Sequence, residues 1–376
     1  MATFLRTTEI PLDDARTLPG EYFTSSAIFA EEREKIFARR WLCVGREARL
    51  AAAGDYFLQD VLGESIIVVR DDDGRTNAYF NVCRHRGSRL CEAETGSFDG
   101  TIRCPYHSWT YALDGRLLGA PSTSDLPGFS VADYPLRHVA LAKWEGFLFI
   151  NLADEPEPFE SAWAPLLGRF TRFNISRLDT ARTIEYDVKA NWKLLFQNYS
   201  ECYHCGPVHP SLARATPPTS GENDLVEGPF TGGFMVMNPG YESLTMSGRS
   251  CGLPVGDLPP EELRRVYYYA IVPNMLLSLH PDYVMYHTLW PEAPDRTRVT
   301  CSWLFHPDTL TDSRFDPDDG VEFWDMTNRQ DWHICERSQL GVSSRAYRPG
   351  PYSKREALPA QFDREYLRAL GHERER

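Results

Sequence analysis

The sequence predicts an α+β protein of two domains: an all-β N-terminal domain, then a domain built on a large antiparallel sheet with a long C-terminal helix. Length is the first observation, because 376 residues exceed the ~100–200 residues of a usual single domain. The second is a change of texture near Leu42, from a helix-periodic opening to short apolar runs punctuated by Asp-Gly turns. The third is a set of β-rich runs after Val266 that gives way to a long helix-periodic segment.

Residues 1–41 read as a helical segment that packs on the second domain. Ser25 or Ser26 can cap a helix in which Ile28, Phe29, Ile36 and Phe37 recur at near-helical spacing. Residues 42–155 form the β domain. In SIIVVRDDDGRTNAYFNV two apolar strands flank an Asp-Asp-Asp-Gly turn, and TIRCPYHSWTYALDGRLLGAP repeats the scheme around Asp114-Gly115. WEGFLFINL closes this domain, and Pro156 and Pro158 mark its boundary. Residues 156–376 begin with a helical stretch, SAWAPLLGRFTRFN, and a strand, ARTIEYDVKAN, that leads to a helix starting near Asn191 or Trp192. TPPTSGENDLVEGPFTGG reads as a long loop over a site. VYYYAIVPNMLLSLH, DYVMYHTLWPEA and RTRVTCSWLFHP then supply an antiparallel sheet. GVEFWDMTNRQDWHICERSQLGV, with Phe323, Met326, Trp332 and Ile334, supplies the helix that lies on it.

Composition removes several function classes. A net charge of −13 argues against nucleic-acid binding, which needs clustered Lys and Arg. No stretch reaches the ~20 apolar residues of a membrane helix, and the first residues lack the apolar core of a signal peptide, so the expected location is the cytoplasm. Nine cysteines in such a compartment are expected to be reduced thiols or metal ligands.

Two constellations carry chemistry. Cys83-Arg84-His85 and Cys104-Pro105-Tyr106-His107 each offer one thiolate and one imidazole from a tight loop after a strand, with Gly87 and Pro105 as the bending residues. A two-iron two-sulfur cluster held by Cys on one iron and His on the other has a higher reduction potential than an all-Cys cluster. Structural zinc sites pair Cys with Cys and His with His, which fits this spacing less well. The second constellation is Glu201-Cys202-Tyr203-His204-Cys205-Gly206-Pro207-Val208-His209. Five residues apart, His204 and His209 would diverge on a regular helix, so Gly206 and Pro207 are expected to break it and swing His209 back. Two histidines and one carboxylate make the facial triad of a mononuclear Fe(II) oxygenase. Asp331 is the first candidate for that carboxylate, with Asp325 and Glu336 as alternatives.

Together these motifs resemble the α subunits of Rieske non-haem iron oxygenases, over nearly the whole chain. The resemblance implies a Rieske domain over 42–155 and a helix-grip catalytic domain over 156–376. It implies Cys83, His85, Cys104 and His107 on the 2Fe-2S cluster, and His204, His209 and Asp331 on one Fe(II). Glu201 matches the acid that links the cluster of one subunit to the iron of its neighbour, through His107 and His204. Gln197 departs from the family, where an acid is frequent. The resemblance further implies O2 as cosubstrate, a separate NAD(P)H-dependent reductase or ferredoxin, and a homotrimer. ECYHCGPVHP and QDWHICERSQLGVSSRAY look closest to the branch acting on choline, carnitine and glycine betaine. A quaternary ammonium would suit an aromatic pocket, for which Tyr267, Tyr268, Tyr269, Tyr283, Tyr286, Trp290 and Trp324 are available. An aromatic-ring or aromatic-acid hydroxylase is the alternative substrate reading. A Rieske electron carrier without oxygenase activity is the alternative of another class.

Overall fold

The computed structural model describes residues 4–313 and 315–372, so the outer ends of the N-terminal and C-terminal segments lie outside the described residues. The chain divides into two compact units, residues 37–159 and residues 1–36 with 160–376.

The unit 37–159 consists of three small antiparallel sheets. The Asp-Gly turns fall where the sequence places them. Glu64–Arg70 and Thr76–Phe80 form a hairpin with Arg70 opposite Thr76, and Thr110–Ala112 turns at Gly115 into Leu117–Gly119. Phe147–Asn151, from the closing apolar run, lies between Ala140–Trp144 and Leu42–Arg46 and is wholly buried.

The other unit is built on one eight-stranded antiparallel sheet. From edge to edge it runs Leu5–Arg6, Glu222–Glu227, Phe230–Val236, Arg265–Ile271, Met275–Leu279, Val284–Ala293, Arg296–Phe305 and Asp179–Val188. VYYYAIVPNMLLSLH supplies two paired strands, because Pro273 and Asn274 turn the chain. Two expectations need correction. TPPTSGENDLVEGPFTGG is largely a hairpin and not a loop, since Glu222–Glu227 and Phe230–Val236 add to the sheet. Its Gly232, at φ +150°, has no room for a Cβ against the Tyr268 carbonyl, so the glycines serve close strand approach. SAWAPLLGRFTRFN is not one helix, because Pro165 and Gly168 leave only short turns around Phe159–Ala162 and Thr171–Phe173.

The long helix is Asp318–Val342. It lies on the sheet through the face Phe323, Trp324, Thr327, Asn328, Trp332 and Cys335, with Trp332 against Tyr186 and Trp324 against Tyr268. Met326 and Ile334 are only half-buried beside that face. A further helix, Ala357–Leu370, follows it and was not read from sequence.

Trp192–Tyr199, capped by the Asn191 side chain on the Lys193 amide, carries the chain toward the histidines. Its Lys193 is fully buried and donates to Glu32 at 2.5 Å. Glu32 also accepts from Trp192 Nε1 at 2.8 Å and Tyr366 Oη at 2.6 Å, so three segments meet at one carboxylate. Burial pushes the Lys193 ammonium down, and the Glu32 charge opposes that. A buried pair of this kind adds little by existing but costs ~3–5 kcal/mol when one partner is removed. Lys193→Met should therefore destabilise the protein by ~3–5 kcal/mol in urea unfolding, while Glu32→Gln with Lys193→Met should regain most of that loss. A single-variant cost below ~1 kcal/mol would mean that Glu32 is not left uncompensated.

Candidate metal and substrate site

In the unit 37–159 the two Cys-His loops share one backbone plan. Cys83 N donates to Ser88 O and Gly87 N to Cys83 O; Cys104 N donates to Trp109 O and Ser108 N to Cys104 O. The fourth residue after each Cys has positive φ, Gly87 at +73° and Ser108 at +58°. The second loop therefore bends at Ser108 and not at Pro105 as expected. Cys83 and Cys104 are buried, His85 is exposed and His107 half-buried, with the two rings 4.6 Å apart. Trp109 stacks on His85 at 4.9 Å, and Tyr111 Oη lies 3.4 Å from Cys83 Sγ. Two buried sulfurs and two outward imidazoles are the donor set of a mixed-ligand iron-sulfur cluster.

In the other unit, ligand atoms of His204, His209 and Asp331 lie within 4.8 Å of one another. Asp331 Oδ1 is 3.1 Å from His204 Nε2 and 2.8 Å from His209 Nε2. Ligands ~2.1 Å from one ion and at right angles stand ~3 Å apart, so this spacing fits a facial triad. Tautomers are set from behind: His204 Nδ1 pairs with Glu201 Oε1 at 2.6 Å and His209 Nδ1 with Gln330 Oε1 at 2.7 Å. Each ring thus turns Nε2 toward Asp331. The alternative acids are otherwise engaged. Asp325 accepts from Tyr186 Oη and Arg329, and Glu336 from the Lys189 amide.

Local structure explains the histidine spacing with one correction. Cys205–Val208 is a short helix that contains both Gly206 and Pro207, and the break falls on His209 itself, at φ −121° and ψ 69°, before Pro210–Ala215 begins. Glu201 closes the preceding turn by accepting the backbone amides of Tyr203 and His204 through Oε2. Cys202 and Cys205 are joined as a disulfide, Cα atoms 4.9 Å apart, which corrects the expectation of reduced thiols or metal ligands. Gln197, the departure from the family, donates to buried Asp363 at 2.6 Å and so belongs to the packing behind the site.

A cavity of about 330 Å3 opens on the triad. Of the aromatic residues singled out in the sequence, Tyr268 and Trp324 line it. Tyr267 and Tyr269 do not, because strand alternation puts them on the opposite face, where Tyr269 donates to Asp224. Tyr283, Tyr286 and Trp290 are also buried away from it. Tyr199, Phe234 and Asn198, which line the cavity, and Gln330, which bonds His209, were missed by the sequence reading. Only Gln330, beside Asp331, carried a signal in its position.

Charge also follows the geometry. Burial would lower the His204 pKa, yet hydrogen bonds to Asp331 and Glu201, and their charges, raise it to about 10. Burial would raise Asp331, yet the bonds and charges of His204 and His209 bring it to about 2.

A β-domain with a mixed Cys-His pair of loops, joined to a sheet-and-helix domain with two His and one Asp on a cavity, defines a Rieske-type non-haem iron oxygenase. Comparison agrees with this reading. Residues 40–135 match the family described as "Rieske [2Fe-2S] domain" and residues 175–372 the "Ring hydroxylating alpha subunit (catalytic domain)". The chain is 34% identical over 370 residues to the glycine betaine monooxygenase oxygenase subunit of Chromohalobacter salexigens, covering 90% of this chain and 82% of that one. It is 31% identical to the subunit of the same name from Pseudomonas aeruginosa, covering 91% and 86%. The structure of the quaternary ammonium Rieske monooxygenase CntA with L-carnitine superposes with a TM-score of 0.78 at 26% identity, over 96% of this chain and 97% of that one. The chain belongs to the ring-hydroxylating Rieske oxygenase α-subunit family. Such proteins hold one Rieske cluster and one mononuclear iron, use O2, and draw electrons from a separate reductase. Among the described residues no helix is long and apolar enough to cross a membrane.

With its pKa raised to about 10, a His204 that takes iron through Nε2 gives up its proton on binding. Anaerobic Fe(II) addition in weak buffer at pH 8 should release about one proton per iron, read with an indicator dye. No proton release would show His204 to be already neutral.

Proposed function

We propose that this chain is the terminal oxygenase for a small quaternary ammonium compound, hydroxylating one of its C–H bonds. The observation that carries this reading is the cavity itself, about 330 Å3 with His204, His209 and Asp331 on one side and Tyr268 and Trp324 on the walls. An aromatic face attracts an ammonium group by about 0.5–2 kcal/mol. The volume suits a molecule of betaine size, and the relatives named for glycine betaine and carnitine support the same class.

In this reading Cys83, His85, Cys104 and His107 hold the cluster, and His204, His209 and Asp331 the iron. Held there, the cluster and the iron would supply electrons and O2 activation for a monooxygenation, in which one oxygen enters the substrate and the other leaves as water with two electrons and two protons consumed. Where the carbon attacked is an N-methyl group, the resulting N-hydroxymethyl ammonium loses its hydroxyl proton as the C–N bond breaks, releasing formaldehyde and leaving a tertiary amine. The chain's own work is positioning: the aromatic walls hold the ammonium, and Glu201 and Gln330 hold the imidazoles. Glu201 is also the bridge to the His107 of a neighbouring subunit in a homotrimer. Support comes from its Oε1, already bonded to His204 Nδ1, on a residue side chain that is not fully buried. The location we propose is the cytoplasm, where NAD(P)H is available to such a reductase.

The substrate class is tested by reductase-coupled O2 consumption with product analysis against betaines, choline, carnitine and aromatic acids. Turnover of ammonium compounds alone is expected, and turnover only of aromatic acids would replace this reading. Wild-type protein should bind three irons per chain, two in the cluster and one in the triad, as in roughly the family's stoichiometry. Asp331→Ala should keep the Rieske absorption and EPR signals while losing the third iron and turnover; full iron and activity in that variant would require another acid as ligand. Glu201→Gln should keep iron at wild-type level yet slow re-oxidation of the reduced cluster in stopped flow with substrate and O2, and an unchanged rate would remove the bridge.

A further inference from the structure

Tyr203 and His204 are bracketed by the bond between Cys202 and Cys205, so one disulfide encloses a residue of the triad. Both cysteines line the cavity that opens on His204, His209 and Asp331, Cys205 buried and Cys202 half-buried. Among the described residues none of the other seven cysteines lines that cavity or is disulfide-bonded.

Such a bond serves either as a staple for the fold or as a redox site. As a staple it is weak, because the freedom that a cross-link removes from the unfolded chain grows with the loop it closes, and this loop holds only two residues. Nor does it hold His204 in place. Glu201 does that from outside the loop: its Oε2 accepts the amides of Tyr203 and His204, and its Oε1 pairs with His204 Nδ1 at 2.6 Å. The two sulfurs are therefore able to part and rejoin while these bonds persist. In the cytoplasm proposed above, disulfides are rare, and those that form are transient and catalytic or redox-sensing.

The cavity also has a source of oxidant. In an oxygenase, O2 that takes up two electrons and two protons without passing an oxygen to substrate leaves as hydrogen peroxide. Peroxide leaving the triad meets Cys202 and Cys205 on the cavity wall. Other thiols of the chain are poor targets, since the thiolate is the reactive form. Burial pushes Cys43 up to about 12 and Cys91 up to about 11, and it raises Cys251 and Cys301 as well.

We propose that Cys202 and Cys205 are a redox-active pair that consumes hydrogen peroxide released beside the iron and is returned to the reduced form by an external dithiol. In the reduced pair one thiolate attacks an oxygen of the peroxide. The O–O bond breaks, hydroxide leaves and takes up a proton as water, and the sulfur becomes a sulfenic acid. The second thiol attacks that sulfur and displaces its hydroxyl, which leaves as water while the S–S bond forms. Two thiols thus lose two electrons and two protons in all, and one peroxide becomes two waters. An external dithiol reverses the oxidation by thiol–disulfide exchange, entering at Cys202, the more exposed residue, and ending as its own disulfide. Nothing in this chemistry depends on which substrate the cavity takes.

The test uses the full chain loaded with cluster and Fe(II) and kept anaerobic. Dithiothreitol is added and removed, hydrogen peroxide is titrated to one equivalent per chain, and thiols are mapped by alkylation and peptide mass spectrometry. Dithiothreitol should open the Cys202–Cys205 bond with the Rieske spectrum unchanged. Peroxide should then close it about tenfold or more faster than Cys91 or Cys251 loses its thiol. In Cys205→Ser, which lacks the second thiol, Cys202 should be trapped by dimedone as the sulfenic acid adduct. Reduced wild type should keep its mononuclear iron through that equivalent, whereas wild type left in the disulfide form should lose it severalfold faster, a comparison that needs no variant. A bond that dithiothreitol does not open in the folded protein, oxidation of Cys91 or Cys251 as fast as the pair, or equal iron loss from the two forms of wild type overturns the proposal.

Discussion

Lys193 and Glu32 form the buried ion pair on which the catalytic unit turns. Neither is accessible to water, and a lone ion at either place would carry a desolvation cost of several kcal/mol. That cost is met only if Trp192 and Tyr366 donate to the same carboxylate and the rings of Phe23 and Tyr366 stand near the ammonium. The helix Ser26–Glu32, the helix Trp192–Tyr199 and the helix Ala357–Leu370 must therefore meet in one register. Gln339 extends the same constraint to the long helix by accepting the Asn191 amide and donating to the Phe23 carbonyl. Glu201 and His204 follow directly from the end of one of these helices, and Asp331 sits two turns before Gln339 on another.

Once the helices are set, the cluster of His204, His209 and Asp331 is oriented by a repeated arrangement. A side-chain oxygen behind each imidazole takes its Nδ1–H, Glu201 for His204 and Gln330 for His209, which leaves each Nε2 facing Asp331. One oxygen is charged and the other neutral, so the two rings differ in basicity though they are alike in geometry. The Cys-His loops of the other unit reach their order by different means. There the backbone turns of Cys83–Ser88 and Cys104–Trp109 aim two sulfurs inward, and Trp109 and Tyr106 pack on the rings of His85 and His107.

The cavity is polarised by the same assembly. Strand alternation gives it Tyr268 and withholds Tyr267 and Tyr269, while the long helix gives it Trp324 on the same face as Asp331, about two turns away. Arg6 and Arg355 reach it from the chain ends because Leu5–Arg6 adds to the sheet edge beside Glu222–Glu227, and the turn of Arg355 packs against that edge. Two aromatic side chains and two arginines are thus brought to one cavity by one sheet order.

The sequence by itself determined the chemistry: two Cys-His pairs, Glu201-Cys202-Tyr203-His204 with His209, and an acid on a late helix. It could do so because ligand identity is a property of side chains, and because local turns place residues a few positions apart. Asp-Gly hairpins and the Asn191 cap were legible for the same reason, being set by neighbours along the chain. The tertiary structure decided whatever depended on partners distant in sequence. Asp331, already first among the three acids in the sequence, was separated from Asp325 and Glu336 by the packing of sheet and helix, which gave Tyr186 and Lys189 to the other two. It turned a Gly- and Pro-rich stretch into edge strands, since pairing with Arg265–Ile271 supplies hydrogen bonds that no local pattern encodes. It also chose among seven aromatic candidates, because a residue's face on a strand is known only when the register of the sheet is known.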